Sequence, residues 1–300
     1  SAALTAAAGT IGVIIPPSVP FVIYGVVSGS SITELFTAGF LPGILMGVAL
    51  IIICYIVSKK NGYKGTDKRP SSKEILISFK KAFWAILSPV IILGGIYSGK
   101  FTPTEAAVIS VVYSFMVGVF IYKELDFKGA YIAFKDAIVV NGATTFMVGL
   151  STAFAALLTM EQIPAKIASF ILSVSNNGFI VLLLINIFLL LVGMFIDNIP
   201  ATIILTPILL PIAVSFGMSP ITFGIMLTMN LAIGFCTPPY GIDLFVASAI
   251  SKVGMDQISK QIIKLIVGLI IVLLLVAYVK PVTTIFLNWK EIIKWKNWFG

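Results

Sequence analysis

No histidine occurs among the 300 residues. A histidine-based catalytic triad, metal site or proton relay is therefore excluded within this chain. Charge is scarce too: Asp, Glu, Lys and Arg make up 11% of the sequence, whereas 59% is hydrophobic and the mean hydropathy is +1.09. Soluble domains carry roughly 25% charged residues, so a soluble globular fold is excluded. There are two cysteines, Cys54 and Cys236. Both lie in apolar surroundings, and neither has the spacing of a metal site or an evident disulfide partner. Acidic residues number 12 against 20 basic ones, a net charge of +8. Eight of the 20 basic residues cluster in one loop, Ser58 to Lys81, rather than along a face carrying base-reading groups, which argues for a membrane lipid surface and against nucleic acid. The opening Ser1-Ala2-Ala3-Leu4 lacks an initiator Met and the charged start of a signal peptide, and reads as mid-protein.

What remains is apolar sequence in lengths that suit a bilayer. Runs such as Gly178 to Ile196 and Leu265 to Val279 reach or approach the roughly 20 residues a spanning helix needs. The pattern predicts an all-α polytopic membrane protein. Two half-helices meet at Pro16-Pro17. A span from Leu35 to Val57 carries Gly39, Gly43 and Gly47, a ladder that permits close helix packing. The segment Ser58 to Lys81 holds seven lysines and Arg69 against only Asp67 and Glu74 and is cytoplasmic by the positive-inside rule, with an interfacial amphipathic helix from Ser71 to Lys81. Two antiparallel spans follow, Ala82 to Tyr97 and Glu105 to Tyr122. Thr102, Pro103 and Glu105 between them form a capping box, against which an ion role for Glu105 is the alternative.

A second charged patch runs from Lys123 to Asp136, then a span from Ala137 to Met160 and a short helix from Pro164 to Val174. An arm out to Ile196 and an arm back to Phe216 flank the polar tip Asp197-Asn198. Ser219 to Ile233 enters a second break, Asp243 to Ile250 leaves it, and Ile258 to Val279 is the last span. The Trp- and Lys-rich tail, Asn288 to Gly300, suits a membrane interface. The chain divides into 1–57, the second part of a first repeat; 58–136, loop, two spans and interfacial arms; 137–287, a second repeat; and 288–300, the tail.

The two breaks match each other. Ile11-Gly12-Val13-Ile14-Ile15-Pro16-Pro17 overlays Ile233-Gly234-Phe235-Cys236-Thr237-Pro238-Pro239 at a constant offset, pointing to internal duplication. Proline cannot donate to the carbonyl four residues earlier. The carbonyls of Gly12, Val13, Gly234 and Phe235 are thus expected to be released, with those of the unwound Ile14, Ile15, Cys236 and Thr237 beside them. Such backbone is tolerated at membrane depth only where protein, water or ligand supplies partners. Convergent carbonyls suit a hard monovalent cation, whereas restarting half-helices turn positive N-termini toward anions. A pair of Pro-kinked helices satisfied by their neighbours is the alternative.

The candidate Na+ ligands are Gly12, Ile14, Pro16, Asp197, Asn198, Gly234, Cys236, Thr237 and Pro238. The candidate substrate residues, around the two restarts, are Ser18, Tyr240, Gly241 and Asp243. A carboxylate between apolar arms is a functional hypothesis by default. The alternatives are a surface hairpin tip with Asn198 as a helix cap, and Asp243 as a residue favouring its helix dipole. An intramembrane enzyme built on Asp197 and Asp243, or an ion channel, are the rival functional classes.

Several stretches resemble the large membrane subunit of tripartite ATP-independent periplasmic (TRAP) transporters. They are Ala6 to Gly12 with Ile15-Pro16-Pro17-Ser18, Phe101 to Ala107, Gly193 to Asp197, Leu205 to Pro211, and Asn230 to Gly234 with Thr237-Pro238-Pro239. The resemblance implies an elevator-type carrier of the ion-transporter superfamily in a bacterial inner membrane, with inverted repeats, re-entrant hairpins and broken helices, the first hairpin being missing before Ser1. It also implies Na+-driven uptake of an organic anion such as a C4-dicarboxylate or sialic acid. Its partners would be a periplasmic substrate-binding protein and a small membrane subunit, and no organic cofactor is implied. Sodium would sit between each hairpin tip and its broken helix: at Asp197 and Asn198 with Gly234 to Pro238, and at Gly12 to Pro17.

Overall fold

A computed structural model describes residues 2–63, 71–163, 166–167, 169–170, 177–279, 282–283 and 285. Among these there is no β-strand, and six helices are long and apolar enough to cross a membrane, or seven if the first bent pair counts as one span. The chain is an all-α polytopic membrane protein. It forms two compact units, one of residues up to Val57 with those from Val148 onward, the other from Ser58 to Met147.

The first unit opens with α1 (Ala2–Ile14) and α2 (Val19–Ser28), which bend by 42° across the Pro16-Pro17 break. Next comes α3 (Ile32–Lys60), which carries the glycine ladder. Its purpose is contact with the break. A Cβ at Gly43 would overlap the Ile15 side chain, and one at Gly39 would sit 3.0 Å from the Ile14 carbonyl oxygen and collide with Phe21.

Helix α6 (Phe127–Met160) enters this unit at Val148. It is followed by α7 (Gly178–Gly193), α8 (Asn198–Ser215), α9 (Pro220–Phe235), α10 (Ile242–Ser251) and α11 (Met255–Tyr278). Every residue of α9 from Ile221 to Phe235 is buried, the mark of a helix surrounded by others. Packed on it are α7, α8, α11, α1 and α2, so the second break emerges from the core of the unit. Tyr24 of α2 is fully buried, donates its hydroxyl to the Pro220 carbonyl (2.6 Å), and lies over Gly224, where a Cβ would collide with its ring.

Helices α7 and α9 run parallel. Asn230 Nδ2 donates to Asn186 Oδ1 at 2.8 Å, and Asn186 Nδ2 reaches Met226 Sδ at 3.5 Å. Two turns further along, the backbone of Gly193 meets that of Leu231 and Gly234. Both helices therefore end at the same level, which sets the hairpin tip beside the break.

The second unit pairs α4 (Ser72–Tyr97) with α5 (Pro103–Met116), which runs on as a π-helical turn over Val117–Ile121. Tyr113 donates to the Trp84 carbonyl and Tyr122 to the Lys81 carbonyl, both at 2.7 Å, and Ser88 meets Ser110 at 3.3 Å, an antiparallel register as expected. The capping box is present: Thr102 N donates to Glu105 Oε2 (2.7 Å) and Glu105 N to Thr102 Oγ1 (3.3 Å). Two expectations change. The segment from Ser71 to Lys81 is not a separate interfacial helix but the first turns of α4, begun by a Ser71–Glu74 capping box. The charged patch before Asp136 is largely helical, being the start of α6. Lysine and glutamate are good helix formers, so charge ends a membrane span without ending a helix. The tail from 288 onward, the lysine-rich 64–70 and most of the short helix expected over 164–174 lie outside the described residues.

Candidate functional site

At the first break, α1 holds an α-helical bond as far as Ile15 N to the Ile11 carbonyl (2.9 Å). Prolines 16 and 17 then remove the next two donors. The Val13 carbonyl is nevertheless not free, because Ser18 Oγ donates to it at 2.6 Å. The same oxygen accepts from Phe21 N at 3.3 Å and so caps α2. Ser18 thus spends its hydroxyl on the backbone at both sides of the break. The Ile14 carbonyl faces Gly39 of α3, and Pro16 is buried.

The second break closes differently. Thr237 N donates to the Gly234 carbonyl at 2.9 Å, so this carbonyl, expected to be released, has a donor. Thr237 Oγ1 (2.7 Å), Cys236 N (3.2 Å) and Cys236 Sγ (3.3 Å) all turn back on the Ile233 carbonyl. The buried Cys236 thiol is engaged within its own helix end. Of the four carbonyls released by proline, those of Gly12 and Phe235 alone lack a hydrogen-bond donor among the described residues. Two carbonyls gather at the restart of α10: a Cβ on Gly241, whose φ is +36°, would lie 2.7 Å from the Phe235 oxygen and 3.0 Å from the Thr237 oxygen. Both breaks carry a cis peptide bond between their prolines.

At the hairpin tip the capping residue is Asp197, not Asn198. Asp197 Oδ1 accepts from Asn198 N at 2.6 Å, and Asn198 is the first residue of α8. Asn198 is only 2% exposed; its Oδ1 accepts from Thr202 Oγ1 at 3.1 Å, and its Nδ2 has no partner among the described residues. Leaving a buried polar atom unpaired costs about 1–3 kcal/mol, so a partner from a ligand or water would be strongly favoured there. Gly193, just before the tip, abuts Gly234, just before the break; a Cβ on Gly234 would overlap the Gly193 backbone. The structure thus brings one hairpin tip and the second break together. Among the described residues no group of three or more Cys, Asp or Glu could hold a metal ion.

Asp243 lies in the first turn of α10 without capping it, since Gly241 is the N-cap and no side chain bonds there. Its carboxylate rests on α1, with Oδ2 3.2 Å from where a Gly9 Cβ would be, at the wall of a groove of about 310 Å3. Tyr240 is half exposed and meets Phe245 edge-on at 5.1 Å. No hydrogen bond joins Asp197 to Asp243, the pair on which the enzyme reading rests. Gly9, Gly193, Asn186 and Asn230 were not among the candidate site residues. Asparagine inside an apolar helix was the available signal for the last two, because a polar side chain in lipid seeks a partner on another helix.

The family model described as "Tripartite ATP-independent periplasmic transporter, DctM component" matches residues 1–282. The isethionate TRAP transporter permease protein DctMQ of Oleidesulfovibrio alaskensis is 42% identical over 286 residues, which is 95% of this chain and 45% of that protein. The sialic acid TRAP transporter large permease protein SiaM of Vibrio cholerae is 43% identical over 91% of this chain and 64% of its own length. The C4-dicarboxylate TRAP transporter large permease protein DctM of Pseudomonas aeruginosa is 38% identical over 94% of this chain and 66% of its own. The chain spans about half to two-thirds of the length of these curated relatives. It belongs to the family of the DctM component of tripartite ATP-independent periplasmic transporters.

Proposed function

We propose that this chain is the membrane core of a Na+-coupled carrier that takes up a small organic anion, a C4-dicarboxylate, sialic acid or a related carboxylate. The observation that carries the reading is the apposition of the Asp197 tip and the second break, fixed by Gly193 against Gly234. Sodium is cargo here. Bound among the break carbonyls, Asp197 and Asn198, it would neutralise a tip that is otherwise costly at membrane depth. It would also order the restart of α10, whose N-terminus favours an anion. A rigid block carrying the site would then slide across the membrane in an elevator cycle, with no covalent chemistry.

A periplasmic binding protein delivers the anion in this scheme, a small membrane subunit supports this large one, and the assembly resides in a bacterial inner membrane. Membership of a transport-component family supports carriage over the intramembrane-enzyme alternative. A channel would pass its solute without saturable Na+ coupling.

The test is uptake by the complete transporter in proteoliposomes, with its binding protein added outside. Uptake should require both the binding protein and an inward Na+ gradient. Asp197→Ala, and Asp197→Asn, which keeps a capping oxygen, should weaken the Na+ response far more than Glu105→Ala. A wild-type Na+ response in both Asp197 variants would remove the hairpin tip from the cation site, and uptake indifferent to Na+ would remove the coupling.

A further inference from the structure

The hairpin arm α7 and the core helix α9 each carry a single amide side chain, Asn186 and Asn230, and both are buried. Each amide is tied to its own helix one turn back: Asn186 Nδ2 donates to the Leu182 carbonyl at 2.7 Å, and Asn230 Nδ2 to the Met226 carbonyl at 2.8 Å. These bonds fix the rotamers. Asn230 Nδ2 then also donates across the interface to Asn186 Oδ1 at 2.8 Å, and Asn186 Nδ2 reaches Met226 Sδ at 3.5 Å. Asn230 Oδ1 has no donor among the described residues. A buried acceptor without a donor carries its full desolvation cost, so the pair is a poor way merely to hold two apolar helices together.

What an amide pair supplies instead is register. Glycine and apolar contacts bring membrane helices close, but ridges and grooves repeat along a helix, so such contacts can be remade after a slide of one turn. The approach of Gly193 to Leu231 and Gly234 is of backbone on backbone, with no glycine side chain to interlock. The amide bond has one partner on each helix and forms at one alignment. A single buried asparagine fixes the alignment of coiled coils in the same way, at a cost in stability. Asn186 stands about two turns before Gly193, and Asn230 about one turn before Gly234, so the alignment passes along both helices to the Asp197 tip and the break. A slip of one residue would carry the tip about 1.5 Å along the break. A binding site must be held to about 0.5 Å.

Resting on the carrier reading above, we infer that Asn186 and Asn230 are positioning residues: their bond sets the register of the hairpin arm on the broken helix, and through it the Na+ affinity at the Asp197 tip. The pair touches neither cation nor anion, and it serves alignment rather than stability.

The test separates stability from affinity in one measurement on the complete transporter in detergent. The apparent unfolding temperature in K+ buffer reports stability, and its rise as Na+ replaces K+ reports binding. Asn186→Leu/Asn230→Leu replaces the pair by apolar side chains of the same branching, and should unfold at the wild-type temperature or above in K+. Its Na+ concentration for half the rise should nevertheless increase about tenfold or more, as when a group that orients an ion's ligands is lost. Asn186→Ala/Asn230→Ala, which cannot overpack, should unfold lower in K+ and show the same displacement toward higher Na+. Thr228→Val removes another buried hydrogen-bonding group from α9, one without a partner among the described residues, and should leave the Na+ response unchanged. A wild-type half-concentration in either double variant, or an equal displacement in Thr228→Val, overturns the inference and leaves the carrier reading intact. A leucine pair no more stable than the alanine pair, or two double variants that both fail to fold, would show a bond that holds the fold rather than the register, and overturns it too. If Na+ does not raise the wild-type unfolding temperature above its value in K+, the Na+ site of the carrier reading falls first and this inference with it.

Discussion

Ser18 and Thr237 both fold a hydroxyl back onto the carbonyl end of a broken helix, yet the two bonds are not equivalent. The Val13 carbonyl has Ser18 as its donor, since Pro17 occupies the position that would otherwise supply an amide. The Ile233 carbonyl accepts from Cys236 N as well as from Thr237 Oγ1. Removing Ser18 therefore orphans a carbonyl and uncaps α2, whereas removing the Thr237 hydroxyl leaves an amide in place. Ser18→Ala should cost about 2 kcal/mol, an orphaned polar group together with a lost cap, and Thr237→Val under about 0.5 kcal/mol. The check is the apparent unfolding temperature of the complete transporter in detergent, measured with and without Na+. Equal shifts for the two variants would show that the Val13 carbonyl has another partner in the assembled protein. Sequence reasoning identified which carbonyls proline releases because that follows from the covalent structure of the ring. It did not show that Ser18 reclaims one and Thr237 N another, because those depend on a rotamer and on a tightened last turn.

At the scale of elements, hydropathy placed the helices and the Pro-Pro motif placed both breaks. Capping chemistry at Thr102 and Glu105 placed a helix start to the residue. Helix ends inside charged stretches were not legible, since Ser71 to Lys81 and Lys123 to Asp136 are polar and helix-compatible at once. Nor was the pairing of the hairpin with α9, which depends on Gly193 meeting Gly234 from a distant part of the chain. That pairing makes a test. In Gly234→Ala the new methyl would overlap the Gly193 backbone, which has no flexible end to yield, so α7 and α9 must part at the level of the site. The expected cost is about 1–3 kcal/mol, the range for overpacking, together with a weakened apparent affinity for Na+ in uptake. Gly94→Ala, inside α4 with nothing within 4 Å of the added atom, should be neutral or stabilising by up to about 1 kcal/mol. If Gly234→Ala behaved like Gly94→Ala in both measurements, the hairpin arm would not be seated on the broken helix.

For the whole molecule, the connections constrain which charged segments share a side of the membrane. Helix α3 ends at Lys60 and α4 begins at Ser72, so Lys60 and Lys73 flank one crossing end. The antiparallel register of α4 and α5 returns Tyr122 to Lys81, and Lys123 follows directly. Lys100, in the turn between α4 and α5, belongs at the opposite end of that pair. Lysine at the first end and its near absence at the second match a cytoplasmic assignment by the positive-inside rule. Single cysteines at Lys60, Lys73, Lys123 and Lys100, in a background lacking Cys54 and Cys236, turn this into a labelling experiment on intact cells. A membrane-impermeant maleimide added outside should modify the Lys100 position and spare the other three until the membrane is opened. Labelling of the Lys123 position together with Lys100 would break the antiparallel pair, while labelling of all but Lys100 would invert the chain.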